Sequence, residues 1–187
     1  YTSSSSSNAG YACVGAGIPG SHIDRTVGIV KAYSTCVGEG PFTAEWFGEE
    51  AEQLRQAGAE YGAATGRPRR VGPIDLVATR YGVRIQGATE VALTKLDVLS
   101  YMKEIPVCVQ YELRGEKTDD FPFTALVGEA KPVYKTVPGW GCDISGVRKY
   151  EDLPQAARDY VEFVERSIGC RISYVSVGAA RDEIIYR

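Results

Sequence analysis

Apolar residues along this chain recur in two alternating rhythms. Residues 27–37 are β-branched and apolar, with Lys31, Ser34 and Thr35 interspersed, and read as a buried strand that stops at Gly38. A Gly-Glu-Gly-Pro turn at 38–41 follows. Residues 44–59 then carry Phe47, Ala51, Leu54 and Ala57 at helical spacing, with acids early and Arg55 late, the charge order that a helix dipole favours. Residues 62–72 combine Gly62, Gly66, Gly72 and Pro68 and read as an irregular loop. A second helix is expected over 75–85, with Leu76, Val77, Tyr81 and Ile85 near one face and Gly87 as its stop. Residues 90–97 form an apolar strand-like run that ends abruptly in Lys-Leu-Asp.

The second half continues the alternation. Residues 107–113 read as a strand, 114–117 as a hairpin turn, and 131–137 as a short edge strand at best, given Pro132 and Pro138. Pro154 opens a strong helix whose Ala157, Tyr160, Val161 and Val164 share a face and which Gly169 closes. Residues 171–177 make a last strand. Residues 9–20, rich in small residues, read as a loop or a short, tightly packed helix. Helices alternating with strands indicate an α/β fold, with the stretch 105–137 as a small antiparallel insertion.

Composition narrows the classes. The chain has 187 residues, 44% of them hydrophobic, which is one domain's worth and enough for a real core. A net charge of −3 argues against a nucleic-acid scaffold. No run approaches a membrane-spanning length, and no signal peptide is evident, so a cytoplasmic location is expected. The five cysteines are scattered and never in Cys-x-x-Cys pairs, as expected of small buried hydrophobes in a reducing compartment. With one histidine, His22, no zinc site can be assembled, and no metal ligands are assigned. The serine run at 3–7 reads as a flexible tail or as a hydroxyl-rich phosphate loop.

Three segments carry candidate chemistry. Lys95-Leu96-Asp97 closes an apolar strand. A carboxylate there can accept from both the ring N–H and the exocyclic amine of guanine, a donor pair that adenine lacks, while the stem of Lys95, pointing the same way in an extended chain, can lie on the purine. The alternative is an ordinary strand end. Arg67, Arg69 and Arg70 crowd a Gly-containing loop behind Thr65-Gly66. Their planar forks suit carboxylates and phosphates; they form either an anion site or a basic turn paired with the acidic segment 45–52. Ser176-Val177-Gly178 ends the last strand, where open α/β sheets collect ligands, or is a simple tight turn.

Seven motifs in order give the chain a resemblance over its whole length to the adenylosuccinate synthetases. They are Ser-Ser-Ser near the start, Val-Lys-Ala-Tyr-Ser-Thr (30–35), Val-Gly-Glu-Gly-Pro-Phe (37–42), Tyr-Gly-Ala-Ala-Thr-Gly-Arg-Pro-Arg-Arg (61–70), Leu-Thr-Lys-Leu-Asp-Val-Leu (93–99), Pro-Gly-Trp (138–140) and Tyr-Glu-Asp-Leu-Pro (150–154). The resemblance implies a P-loop NTPase-like, mostly parallel sheet with helices. It implies a GTP-dependent ligase that joins IMP and L-aspartate into adenylosuccinate in AMP biosynthesis, with Mg²⁺ as cofactor and a homodimer in the intact enzyme. By position, Ser3, Val37 and Arg67 would contact IMP. Ala63, Ala64, Thr65, Gly66, Arg67, Pro68 and Arg69 would form the aspartate loop. Arg69, Lys95, Leu96, Asp97, Ser176, Val177 and Gly178 would bind GTP.

The family's N-terminal phosphate loop, general base, Mg²⁺ ligands and catalytic histidine have no counterparts in the sequence, and His22 matches none of them. Residues 1–187 are therefore expected to be a C-terminal portion of one domain, with no catalytic residue of its own and inactive alone. The competing expectation is a non-catalytic guanine-nucleotide-binding module that acts with a separate partner. Ser3 stands where the family usually has Thr, Ala64 replaces one of two adjacent threonines, Cys36 stands where many members have Arg, and Ala179-Ala180 replace Pro-Asp or Pro-Lys.

Overall fold

A computed structural model describes Ser6 and residues 8–187. Its main sheet has four strands in the order β1-β4-β8-β9, built from β1 (Val27–Lys31), β4 (Glu90–Thr94), β8 (Ile172–Ser176) and β9 (Ile184–Tyr186). The first three run parallel, and β9 turns back antiparallel on β8. An antiparallel pair, β2 (Tyr33–Cys36) with β3 (Arg70–Pro73), stands beside it. A third sheet, order β6-β5-β7, comprises β5 (Glu104–Leu113), β6 (Glu116–Thr118) and β7 (Lys131–Pro138). This is the expected α/β architecture with its antiparallel insertion.

The helices start and stop where local chemistry dictates. In α3 (Leu76–Gln86), the Asp75 carboxylate accepts from the Val77 and Ala78 amides, and Gly87 ends the helix in the left-handed region. Tyr111 donates its hydroxyl to the same carboxylate, tying the helix start to β5. In α4 (Gln155–Ile168), Ala157, Tyr160, Val161, Val164 and Ile168 form the buried stripe, and Gly169 closes it. The core runs from this stripe through Val91, Leu93, Ile172 and Val175 of the parallel strands to Leu54 of α2 (Gly48–Ala57). The β5–β6 turn uses Arg114 and Gly115, both at positive φ, as a tight two-residue hairpin requires.

Several expectations need correction. The strand expected over 27–37 is two strands. At Ala32 the amide still donates to Thr94, but the carbonyl accepts from the buried Tyr160 hydroxyl, and the chain leaves the parallel sheet to pair with β3. The end of the supposed loop 62–72 is strand β3. Its Gly and Pro hide the strand signal, yet Gly72 is there because a Cβ would lie 2.0 Å from the Ala44 carbonyl oxygen. Helix α2 begins at Gly48 rather than near 44, because Ala44 is buried against β3 and Trp46 donates to the Val71 carbonyl. The short helix α1 (Gly10–Ala16) buries no residue and is not tightly packed. Strand β7 does lie at an edge, as Pro132 and Pro138 require, but runs for eight residues. Strand β9, three residues long, gave no periodic signal.

The close approach at Gly72 sets a test. Gly72→Ala forces β3 away from residues 44–46 and is expected to lower stability by roughly 1–3 kcal/mol, read as an earlier urea midpoint.

Candidate functional site

Strands β4 and β8 are parallel neighbours, so their carboxyl ends emerge side by side at Thr94 and Ser176. This is where open α/β sheets present ligand sites. The Lys95 amide donates to Ser176 Oγ at 3.2 Å, and Ser176 Oγ donates to the Gly178 carbonyl at 3.3 Å, joining the two ends directly. Lys95 is not extended, as the sequence suggested. It sits in the left-handed region at φ 59°, and residues Leu96–Tyr101 form a 3₁₀ turn. A lysine held there is uncommon and requires support from its surroundings. Part of that support is its ammonium, which donates to the Gly58 carbonyl at 2.6 Å and to Glu60 Oε1 at 2.9 Å.

Asp97 lies in the first turn of that 3₁₀ segment. Its Oδ1 is buried and has no hydrogen-bond partner among the described residues. Burial raises the Asp97 pKa above the ordinary carboxylate value, Lys95 opposes the rise, and Glu183 and Asp143 add to it. Glu183 belongs to the turn after β8. Its Oε2 accepts from the Ala180 amide at 2.6 Å and would stand 2.2 Å from a Cβ on Gly178, so the carboxylate occupies the space that the missing side chain leaves open. The side chains of Leu96 and Val177 are fully buried in the core, so only their backbone can face a ligand. Lys95, Asp97, Ser176 and Gly178 are brought together as expected; Glu183 and Asp143 went unnoticed.

The arginine loop has its own geometry. Arg69 N donates to the Glu60 carbonyl at 2.9 Å, Gly62 N to the Arg67 carbonyl at 2.8 Å, and Gly66 N to the Gly62 carbonyl at 2.8 Å. The loop is a narrow hairpin whose tip, Ala63, Ala64, Thr65, Gly66, Arg67 and Pro68, is exposed. Its three arginines have separate fates. Arg70 forms a bidentate pair with Glu45 at 2.8 and 2.5 Å and donates to the Gly38 and Gly40 carbonyls, so it fastens the 38–45 segment to β3. Arg69 pairs with Glu60, while its Nε is buried without a partner among the described residues. The Arg67 guanidinium makes no ion pair among the described residues and points from the exposed tip. Val37, 81% exposed, follows the Cys36–Arg70 pair and so emerges at the same end of the β2–β3 ribbon as the loop. Ser3 lies outside the described residues.

Glu60 connects the two halves, and sequence reading missed it. Its side chain is fully buried. Oε1 accepts from Lys31 Nζ at 2.8 Å, Lys95 Nζ at 2.9 Å and the Tyr33 hydroxyl at 2.5 Å; Oε2 accepts from Arg69 Nη1 at 2.9 Å. Burial by itself would raise its pKa, but the hydrogen bonds from Lys31, Tyr33 and Lys95 win and push it down to about 2. The only hint in the sequence is electrostatic: clustered arginines require a nearby acid, and Glu60 stands just before them. The described residues contain no group of three or more His, Cys, Asp or Glu side chains that could hold a metal ion. Among the described residues, no helix is long and apolar enough to cross a membrane.

Comparison with known proteins bears on the family and the fold. The family model described as adenylosuccinate synthetase matches residues 1–185. The chain is 51% identical over 186 residues to an adenylosuccinate synthetase of Bifidobacterium adolescentis, covering 99% of this chain and 44% of that protein. It is 50% identical over 188 residues to the Leifsonia xyli subsp. xyli enzyme, covering 100% of this chain and 43% of that protein. The fully ligated Plasmodium falciparum adenylosuccinate synthetase superposes with a TM-score of 0.94 at 35% identity, over the full length of this chain and 45% of its own. The chain thus spans somewhat under half the length of these relatives, and it belongs to the adenylosuccinate synthetase family.

Proposed function

We propose that this chain supplies the guanine- and aspartate-recognising part of a ligase that condenses IMP with L-aspartate at the expense of GTP, releasing adenylosuccinate, GDP and phosphate. The observation that carries the reading is the buried, unpartnered Asp97 Oδ1 at the joined ends of β4 and β8. A buried acceptor left without a donor costs about 1–3 kcal/mol, so it calls for a ligand that donates. Guanine donates from two adjacent nitrogens and matches a carboxylate edge to edge. The Lys95 stem would cover one face of the base, and Ser176 and Gly178 would border it.

The exposed loop serves the amino acid. Ala63 to Pro68 would surround aspartate with backbone amides, and Arg67 would take its carboxylate and reach IMP together with Val37 and Ser3. Arg69, with its idle Nε, would bridge toward the GTP phosphates. Phosphoryl transfer from GTP to the 6-oxygen of IMP turns that oxygen into a leaving group, and the aspartate amine then displaces it as phosphate. The groups that move those protons and the Mg²⁺ ligands are assigned to the remainder of the intact enzyme, for which residues 1–187 form a C-terminal portion of a single domain. The whole is read as a cytoplasmic homodimer.

Two substitutions in the intact enzyme test the assignment. Asp97→Asn replaces one acceptor by a donor and is expected to raise the GTP KM about tenfold to a hundredfold, the value of a charged hydrogen bond, and to narrow the preference over other purine triphosphates. With Asp97 in place, the GTP KM should rise on acidification at a pH above the ordinary aspartate value of 3.8, because the buried carboxyl protonates early and then loses an acceptor. Asp97→Asn should flatten that dependence. Unchanged base preference would remove Asp97 from the guanine site. Arg67→Leu should raise the aspartate KM by a similar factor, with an unaltered aspartate KM excluding Arg67.

A further inference from the structure

Two ligand subsites on separate loops share one buried counter-ion. Glu60 is fully buried, and its two carboxylate oxygens divide their partners between them. Oε1 holds Lys95, two positions before the orphaned Asp97, together with Lys31 and Tyr33. Oε2 holds Arg69 of the arginine loop, whose Nε is likewise buried without a partner among the described residues. The Glu60 backbone adds to the link, because its carbonyl accepts the Arg69 amide that closes the loop. Lys31, Lys95 and Arg69 bring three positive charges against Glu60, with the Asp97 carboxylate near Lys95, so the cluster keeps one positive charge in excess for an anionic ligand. Tyr33 stays a neutral donor, its pKa raised by burial and by Glu60.

We infer that Glu60 is a positioning residue that couples the two subsites, so that a guanine nucleotide held at Lys95 and Asp97 adjusts the placement of Arg69 and the loop for a dicarboxylic amino acid. This rests on the proposed function. The physical link is the rigid carboxylate plane: fixing Lys95 fixes Glu60 Oε1, which fixes Oε2 and with it Arg69. A ligand that moves Lys95 therefore moves the shared carboxylate and Arg69 with it, and the resulting coupling between the two subsites is by thermodynamic necessity reciprocal. Tyr33 stiffens the plane because its hydroxyl is anchored in the core end of β2.

The test uses steady-state kinetics of the intact enzyme, with the aspartate KM measured at low and at saturating GTP. In the wild type, saturating GTP should lower the aspartate KM at least fivefold, within the usual range of coupling factors. Glu60→Gln keeps the shape but leaves three cations around a neutral amide. It should raise the aspartate and GTP KM values together by about tenfold while kcat and the IMP KM change less than about threefold, and it should abolish the dependence of the aspartate KM on GTP. Tyr33→Phe keeps all four charges and removes a single donor; it should weaken the dependence by about half, and it decides the matter if Glu60→Gln does not fold. A dependence that survives in Glu60→Gln, or that is intact in Tyr33→Phe, overturns the coupling while leaving the proposed function standing. A wild-type enzyme that forms no adenylosuccinate overturns both.

Discussion

A carboxylate taken wholly out of water loses several kcal/mol of hydration, and the loss is repaid only when both oxygens are fully engaged. Glu60 meets that condition through four side-chain donors drawn from β1, β2, the end of the arginine loop and the residue after β4. Desolvation and hydrogen bonding oppose one another there, and the bonds prevail: the group remains ionised down to about pH 2. The geometry of the whole site follows. Lys95 can occupy a left-handed backbone position because its ammonium is tied to Glu60 and to the Gly58 carbonyl. The 3₁₀ turn that carries Asp97 starts from that position.

The sheet supplies the other constraint. Parallel pairing of β4 with β8 brings Thr94 and Ser176 level, so a single hydroxyl, Ser176 Oγ, can accept from one strand's continuation and donate to the other's. Gly178 then lets Glu183 fold underneath, which places an acid near Asp97 and makes its carboxylate harder to ionise. The polar atoms left over are informative for the same reason. Glu45, Glu60 and Asp75 each have hydrogen-bond donors, whereas Thr43 Oγ1, Arg69 Nε and Asp97 Oδ1 are buried without a partner among the described residues, and the last two are the ones the proposed function uses.

Family membership rests on a match over nearly the whole chain, yet that match spans less than half of each relative. Under the proposed function, recognition of a base and of an amino acid would need shape and a few fixed donors and acceptors, which strand ends and a hairpin loop can provide.

Local sequence determined what depends on local chemistry. Asp75 caps a helix, Gly87 and Gly169 end two, and the stripe from Ala157 to Val164 buries one face, all of which can be read from spacing. The Lys-Leu-Asp end, the arginine cluster and Ser-Val-Gly were legible as candidate chemistry, since residue type limits what each can bind. Tertiary structure decided which charges meet. Nothing in the chain between positions 60 and 95 announces that Glu60 and Lys95 touch, that Arg70 belongs to Glu45 while Arg67 stays exposed, or that residues 27–37 split between two sheets at Ala32. Those outcomes turn on hydrogen bonds between residues far apart in sequence, where desolvation energy, not local propensity, selects the partner.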